Sequence, residues 1–341
     1  MTRLLEEKIT ALHGAGGQVM EKLIAERILP KFKFRAAGPI GLDHLDDGAV
    51  VDLPPGKLVI TTDSHVVKPL FFPGGDIGKL AVTGTVNDLV VMGARPVAMT
   101  LAVVVEEGFP LSDLERILES AAQVLSKLGL PLVTGDTKVM GKGELDGIVL
   151  NTTGIGVAER PISDAGLKEG DWIVVTGPVG DHGMAILCAR NELPVESPVG
   201  SDVAPLWPAL AEAVATGGIT AMKDPTRGGL AAALNEMARK SGVGIEVEEE
   251  KIPVRPEVRG LCELLGLSPY ELACEGRAVL GVREEKLEQV LAALCRHPLT
   301  AQAQVIGRTS REYSGKVVLR TAVGGKRFLE MPLGDPVPRI C

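Results

Sequence analysis

The chain has few aromatic residues and carries excess negative charge, and each property excludes a class of partner. Aromatic residues make up 3% of the 341 residues, so few rings are available to stack on nucleic-acid bases. The net charge of −8 opposes binding to DNA or to an anionic membrane surface. We therefore expect neither a nucleic acid nor a membrane as partner.

Cysteine is also scarce, and no long apolar segment is present. The five cysteines form an odd set without a CxxC pair, which excludes a disulfide framework and the common zinc motifs. No apolar run reaches the length of a membrane span, and the first residues lack the apolar core of a signal peptide. These absences predict a cytoplasmic protein with reduced thiols.

The length and the pattern of apolar segments predict two domains. Hydrophobic residues make up 45% of the chain, enough for two ordinary cores. Strands and helices alternate, but several strands are joined by short connections, which favours two α+β domains over one doubly wound sheet. The predicted parts are an N-terminal segment, 1–42, a first domain, 43–160, a second domain, 161–310, and a C-terminal tail, 311–341.

Several elements of the first domain have local signals. The apolar pattern predicts a helix over residues 77–92. Ser112-Asp113-Leu114-Glu115 has the order of a capping box, which predicts the start of a second helix, and Gly129 predicts its end. A strand over residues 132–134 is predicted to deliver Gly135-Asp136-Thr137-Lys138 at its end.

The first glycine-rich stretch, His13-Gly14-Ala15-Gly16-Gly17, does not match the known nucleotide-binding motifs. It is not a Walker loop, because no Gly-Lys-Ser/Thr follows, and Val19 stands where a Rossmann fingerprint needs its third glycine. Its backbone N–H groups can still fold over a phosphate. Taken alone, the stretch is better explained as a flexible hinge.

Six aspartates lie at strand ends, in turns or near glycines instead of on charged helix faces. They are Asp46, Asp47, Asp63, Asp88, Asp136 and Asp224. Each alone is an ordinary turn residue. Together they favour a magnesium–nucleotide site, because Mg²⁺ takes oxygen ligands and an acidic protein needs a cation to hold a polyphosphate.

The chain ends on a cysteine that follows a proline-rich stretch. Residues 331–338 contain three prolines, which predicts an extended and fairly stiff segment. The end is either a frayed terminus or an arm that carries the Cys341 thiol to an active site. The aspartates elsewhere in the chain favour the arm.

These motifs together resemble the hydrogenase maturation family HypE along the whole chain. The stretches that carry the resemblance are Leu12-His13-Gly14-Ala15-Gly16-Gly17, Asp46-Asp47-Gly48-Ala49-Val50, Thr61-Thr62-Asp63-Ser64, Asn87-Asp88-Leu89, Thr134-Gly135-Asp136-Thr137-Lys138, Asp224-Pro225-Thr226-Arg227-Gly228-Gly229 and Pro338-Arg339-Ile340-Cys341. The aspartate motifs alone fit the wider superfamily of aminoimidazole ribonucleotide synthetase and selenophosphate synthetase. The Pro-Arg-Ile-Cys ending narrows the resemblance to HypE.

The resemblance implies a fold and a reaction. The fold is the two-domain α+β fold of the PurM-like superfamily with a mobile C-terminal tail, and the first domain forms a homodimer. HypE proteins receive a carbamoyl group on the terminal cysteine from the carbamoyltransferase HypF. They dehydrate the S-carboxamide to an S-cyanate with ATP, and the cyano group passes to iron on the HypC–HypD complex for nickel–iron hydrogenase.

The resemblance also implies a role for particular residues. Mg²⁺ would be held by Asp47, Asp63, Asp88 and Asp224. ATP would contact His13, Gly14, Gly16, Gly17, Asp46, Asp136, Thr137 and Thr226. The reaction would involve Cys341, Lys138 and Glu275. Taken alone, Lys138 is a surface lysine, and Glu275 is a strand-end glutamate paired with Arg277.

Two other functions compete with this hypothesis. One is an ATP-dependent synthetase or kinase of the same superfamily that acts on a free small molecule and has no need of a terminal thiol. The other is a carrier without catalytic activity that only presents a modified cysteine to its partners. The grouped aspartates argue against a pure carrier.

Overall fold

The computed structural model describes residues 8–14, 17–45, 48–190, 199–334, 337 and 340. Its helices are α1 Gly17–Leu23, α2 Ile77–Val91, α3 Leu111–Leu128, α4 Asp181–Ala189, α5 Trp207–Ala215, α6 Gly229–Ser241, α7 Pro256–Leu265 and α8 Leu287–Cys295. Its strands are β1 Lys57–His65, β2 Phe71–Phe72, β3 Gly75–Asp76, β4 Arg95–Glu106, β5 Leu132–Met140, β6 Ile148–Ala158, β7 Trp172–Val175, β8 Ile219–Lys223, β9 Gly244–Glu248, β10 Val279–Val282, β11 Gln304–Ser310, β12 Val317–Arg320 and β13 Lys326–Phe328. No helix in the described ranges is long and apolar enough to cross a bilayer.

The first domain is built on a four-stranded sheet in the order β1-β6-β4-β5. β1, β6 and β4 run antiparallel, and β4 and β5 run parallel. Helices α2 and α3 pack together, and α2 lies against β1 and β6. α2 is buried on nearly all sides, because α3 and, from the second domain, α5 and β8 cover the sides that the sheet does not.

The two faces of this sheet have different chemistry. The inner face, which contacts α2, carries Asp63, since a Cβ on Gly84 of α2 would lie 3.6 Å from its Oδ2. The outer face carries Ile60, whose side chain is 60% exposed. The strand register places Asp136 and Lys138 on the outer face as well. They lie opposite Ala102 and Val104 of β4, which in turn lie opposite residues of β6 that face away from α2.

Two local predictions are wrong in detail. The helix α3 begins at Leu111 after Pro110, and no side chain caps it, so the predicted capping box is not formed. Its predicted end is confirmed, because Gly129 is the C-cap with φ +63°. Strand β5 continues to Met140, so Asp136 and Lys138 lie within the strand and not beyond its end.

The second domain is a seven-stranded sheet in the order β13-β12-β9-β11-β7-β10-β8. All neighbours are antiparallel except β9 and β12. The predicted tail segment, 311–341, therefore contains β12 and β13. Beyond them, Val337 and Ile340 are buried in the large apolar core, although the end of a chain is usually exposed.

Candidate active site

Two carboxylates of the first domain meet beside the helix α2. Asp88 lies on α2, and its Oδ2 accepts a 2.8 Å hydrogen bond from the Thr61 hydroxyl. Asp63 lies two residues further along β1, and its Oδ1 accepts a 2.8 Å bond from the backbone N–H of Ser64. Gly84 leaves room for the neighbouring His65, because a Cβ there would lie 3.0 Å from its Cε1 and 3.6 Å from Asp63 Oδ2.

Asp224 of the second domain adds a third negative charge to the same place. Burial, and next the charge of Asp224, raise the pKa of Asp88 to about 7. Burial also raises the pKa of Asp224, and the nearby charge of Asp63 adds to the effect. Each carboxylate therefore disfavours ionisation of its neighbours, and a cation bound here would relieve that repulsion.

The loop after β8 sets the position of Asp224. Its carboxylate takes a hydrogen bond from Thr226, and the next carbonyl, of Pro225, accepts a 3.0 Å bond from the backbone N–H of Cys274. Gly229 has φ +60°, and a Cβ there would lie 2.5 Å from the carbonyl oxygen of Leu272. Only glycine lets this loop pack so closely against residues 270–274.

Glu275 follows directly and is buried at the meeting point of the two domains. Its Oε1 has no hydrogen-bond partner among the described residues. Burial, and then the charges of Asp224, Asp202, Asp63 and Asp88, raise the pKa of Glu275 well above its usual value. A buried carboxyl group with an unused oxygen beside four other carboxylates is typical of a functional site.

The backbone of Glu275 is fixed on both sides. Its N–H donates to Asp202 Oδ1 at 3.1 Å, and its carbonyl accepts from Asn87 Nδ2 at 3.0 Å. Asn87 also donates to the carbonyl of Ala204 and accepts from the N–H of Leu206 at 2.8 Å. The residue before Asp88 thus joins the two domains, which holds Asp88 and Glu275 in a fixed relation.

The guanidinium group of Arg277 binds partners other than the carboxyl group of Glu275. Its Nε donates to the carbonyl of Pro178 at 3.0 Å and lies 3.6 Å from Asp202 Oδ2. Its Nη1 donates to the carbonyls of Gly276 and Leu299. The alternative in which Glu275 serves only as the ion-pair partner of Arg277 has no support in these contacts.

Two neighbours of the site were not singled out from the sequence. His65 is buried with its Nε2 at 3.4 Å from Asp63 Oδ2, and burial lowers its pKa. Asp202 holds the N–H groups of both Glu275 and Gly276. The sequence offered a signal for His65, since it lies two residues after Asp63 and so on the same face of β1. It offers none for Asp202.

The N-terminal segment lies at the opposite edge of the first sheet. A Cβ on Gly14 would lie 2.5 Å from the Cβ of Val139, so the segment packs directly on β5. His13 is buried, and its Nδ1 accepts from the N–H of Thr10 at 3.1 Å. An apolar cavity of about 110 Å³ separates α1 and the turn after it from Asp136 and Thr137.

The structure thus brings some predicted residues together and separates others. Asp63, Asp88, Asp224, Thr226 and Glu275 share one site. His13, Gly14, Gly17, Asp136, Thr137 and Lys138 belong to the β5 edge, three strands away from β1, or about 14 Å at the usual strand spacing. Gly16, Asp46, Asp47 and Cys341 lie outside the described residues.

The shared site suits a hard cation that keeps part of its water. In the described ranges, no three acidic, histidine or cysteine side chains form a ready-made metal centre. Asp63, Asp88 and Asp224 still provide oxygen donors, and burial and the negative charge of neighbouring carboxylates raise the pKa values of Asp88 and Asp224. Mg²⁺ typically binds through one or two carboxylates, waters and phosphate oxygens, so the donor set fits a magnesium–nucleotide complex.

Comparison with known proteins gives one consistent result. Residues 45–158 match the family model of the AIR synthase related protein, N-terminal domain, and residues 168–320 match its C-terminal domain. Carbamoyl dehydratase HypE of Rhodobacter capsulatus is 45% identical over 344 residues, covering 99% of each chain.

Solved structures agree with that match. A crystal structure of the hydrogenase maturation protein HypE in complex with ATP has a TM-score of 0.91 at 41% identity, covering 97% of this chain and 99% of the other. A chain from a HypE–HypF complex has a TM-score of 0.79 at 40% identity, covering 93% of this chain and all of the other.

Proposed function

The chain belongs to the HypE family of hydrogenase maturation proteins, and on that premise we propose how its residues perform the family's reaction. The chain is a carbamoyl dehydratase that uses ATP to convert the S-carboxamide on its own Cys341 into an S-cyanate. The product supplies cyanide ligands for the iron of nickel–iron hydrogenase. The observation that carries the assignment of residues is Glu275, a buried carboxyl group with an unused oxygen beside Asp63, Asp88 and Asp224.

The reaction requires a leaving group and a base. The amide oxygen of the S-carboxamide takes the γ-phosphoryl group of ATP, which releases ADP and converts a poor leaving group into phosphate. The carbon–oxygen bond then breaks as phosphate departs, and the two N–H protons leave the nitrogen, one to a base and the other with the phosphate, to give the nitrile. Glu275 is the candidate base for this step, because its Oε1 is buried and has no hydrogen-bond partner among the described residues.

The remaining residues bind the nucleotide. We assign the metal to Asp63, Asp88 and Asp224, with Asp47, and the nucleotide contacts to Thr226 and to the residues of the glycine-rich segment and the β5 edge predicted above. A bound Mg²⁺ would offset the charge of the phosphates and of these carboxylates. Lys138 is assigned to positioning of phosphate or substrate oxygen, from the face of the sheet that a second protomer would cover.

The decisive experiment follows the mass of the tail. Protein carbamoylated at Cys341 is incubated with ATP and Mg²⁺, with ATP omitted in the control, and the tail peptide is weighed. The carbamoylated peptide should lose one water molecule only when ATP is present. A free-substrate synthetase or kinase would leave the mass of the tail unchanged.

Cys341→Ala should abolish formation of the cyanate and leave the fold and ATP binding intact. The described contacts that position the three carboxylates and Glu275 run to other residues, so calorimetry should give an unchanged ATP affinity. Circular dichroism should give an unchanged melting temperature. A variant that unfolds or no longer binds ATP would show that Cys341 is a structural residue.

The partners follow from the family. We propose that HypF loads Cys341 and that the HypC–HypD complex accepts the product, in the cytoplasm. We propose in addition a homodimer through the outer face of the first sheet. Leu58 and Ile60 are 49% and 60% exposed there, and Ile155 lies opposite Ile60 on β6, which is a row of apolar side chains that a second copy would bury.

Ile60→Glu should therefore convert the protein to a monomer, because it places a charge in the centre of that row. Light scattering coupled to gel filtration measures the mass directly. The matched control is Leu264→Glu on α7, where the native side chain is 70% exposed, and this variant should keep the mass of the unmodified protein. An unchanged mass for Ile60→Glu would place any dimer contact elsewhere.

A further inference from the structure

A histidine of the second domain holds the end of the chain. His182 lies in the first turn of α4 and is fully buried. Its Nε2 is 2.9 Å from the backbone carbonyl oxygen of Ile340. Its ring meets that of Phe72 edge-on, with 5.4 Å between the ring centres. The contact spans 158 positions of the sequence and involves the residue directly before Cys341.

The hydrogen bonds around His182 have a defined direction. A carbonyl oxygen only accepts, so Nε2 donates to Ile340. Nδ1 lies 2.7 Å from the hydroxyl of Ser201, and that oxygen accepts from the N–H of Val203 at 3.1 Å. In the neutral ring the Ser201 hydroxyl therefore donates to Nδ1, which fixes the tautomer with the proton on Nε2.

Ser201 itself is held by the first domain. Its N–H donates to the carbonyl of Pro73 at 2.8 Å. Gly74, with φ +95°, packs so closely that a Cβ there would lie 2.7 Å from the Ser201 carbonyl oxygen. The orientation of His182 is thus set by both domains together.

The residue after Ser201 connects this contact to the active site. Asp202 accepts the backbone N–H groups of Glu275 and Gly276 at 3.1 and 3.2 Å. One dipeptide, Ser201–Asp202, therefore orients the histidine that holds Ile340 and also fixes the candidate base. Val337 and Ile340 are both buried in the core, so the segment before Cys341 is packed at two points.

We propose that His182 is a positioning residue for the reaction: its Nε2–H holds the Ile340 carbonyl so that the next residue, Cys341, is presented to the site of Glu275. Ser201 is the partner that keeps the imidazole in the required tautomer and orientation. This inference rests on the proposed dehydration of the Cys341 carboxamide. It gives that reaction a positioning residue, His182, that does not touch the reacting atoms.

The first test measures the position of the tail without the reaction. The full-length protein is treated with iodoacetamide for increasing times, and alkylation of each cysteine is followed by peptide mass spectrometry. Cys295, which is exposed, is the internal reference. His182→Phe keeps an aromatic ring at this position but removes the hydrogen-bond donor. We expect Cys341 to react roughly tenfold faster, because one lost hydrogen bond changes an equilibrium by about that factor. The rate at Cys295 should not change.

Two further variants keep the test decisive. His182→Gln retains an N–H donor in place of Nε2 and should restore slow alkylation of Cys341. Ser201→Ala removes only the orienting hydroxyl and should give an intermediate rate, which provides the answer if His182→Phe does not fold. Wild-type alkylation of Cys341 in folded His182→Phe or in Ser201→Ala would overturn the proposal.

The second test measures the reaction. Proteins carbamoylated on Cys341 with potassium cyanate are mixed with excess ATP and Mg²⁺, and the loss of water from the tail peptide is timed. We expect His182→Phe to react roughly tenfold more slowly with unchanged ATP affinity, and His182→Gln to recover the rate. An equal or faster rate in His182→Phe would contradict the proposal. If the wild type loses no water, the proposed reaction fails, and the alkylation test alone decides whether His182 holds the tail.

Discussion

Glu275→Gln should accept the carbamoyl group and bind ATP normally, yet convert the carboxamide to the cyanate 10²- to 10⁴-fold more slowly, the usual loss for a general base. The amide has the size of the carboxyl group but takes up no proton at neutral pH. Mass spectrometry of the tail peptide in a single turnover should show the S-carboxamide, or its phosphorylated form, accumulating.

The structure also predicts that this variant is not destabilised. Burial, and then the charges of Asp224, Asp202, Asp63 and Asp88, raise the pKa of Glu275, so the ionised carboxyl group opposes folding. Arg277 finds its partners among backbone carbonyls and Asp202. Removing the carboxyl group therefore breaks no ion pair with a described residue, and the melting temperature should stay equal or rise.

The control for Glu275→Gln is Glu263→Gln, the same change at an exposed position of α7. It should leave both the reaction and the melting temperature unchanged. Full conversion to the cyanate by folded Glu275→Gln would exclude a role as base. A marked loss of stability with normal chemistry would favour a structural role for Glu275.

Local sequence signals predicted the elements whose cause is local. Residues 77–92 were expected to form a helix, and α2 occupies Ile77–Val91. Gly129 ends α3 because the left-handed conformation there favours glycine. The start of α3 was wrong because Pro110, with ψ +128°, is itself the extended N-cap residue and the helix begins at the next residue.

The candidate site was less predictable where its geometry depends on strand register. The residue types indicated that Asp63, Asp88 and Asp224 belong together, and their charges do act on one another. The face on which Lys138 lies could not be predicted, because it depends on how far β5 extends and on its pairing with β4. Lys138 and Glu275 consequently occupy different parts of one protomer.

Contacts between distant parts of the chain were not predictable at all. The bond from His182 to Ile340, the bond from Asn87 to Glu275 and the bond that Asn87 accepts from Leu206 have no periodicity or spacing that marks them in the sequence. Each of these bonds joins polar groups that are buried where the two domains meet, and such groups become buried only when both domains are folded against each other.

Asp88→Asn should remove most of the Mg-ATP binding of the protein while leaving the nucleotide-free protein at least as stable. The Asp88 carboxylate is largely buried. This burial, together with the charges of Asp224 and Asp63, raises the pKa of Asp88 to about 7. The ionised group therefore costs folding free energy in the absence of a cation. An amide oxygen can still accept the hydrogen bond from Thr61, so the substitution keeps the local geometry.

Two measurements test this expectation. Calorimetry with ATP and Mg²⁺ should show an affinity reduced by a factor of ten or more, since a charged ligand to the cation is worth several kcal/mol in a site of this kind. The rise in melting temperature on adding Mg-ATP, which follows from the affinity for the folded state, should shrink accordingly. Asp63→Asn should behave in the same way.

The matched control for Asp88→Asn is Asp146→Asn, a carboxylate of the first domain that is 57% exposed and lies 3.0 Å from the ammonium group of Lys68. It should leave the affinity for Mg-ATP unchanged, because exposed ion pairs contribute little. Unchanged affinity in both Asp88→Asn and Asp63→Asn would place the metal at other ligands. A nucleotide-free Asp88→Asn protein that melts well below the wild type would show that the carboxylate stabilises the fold instead of awaiting a cation.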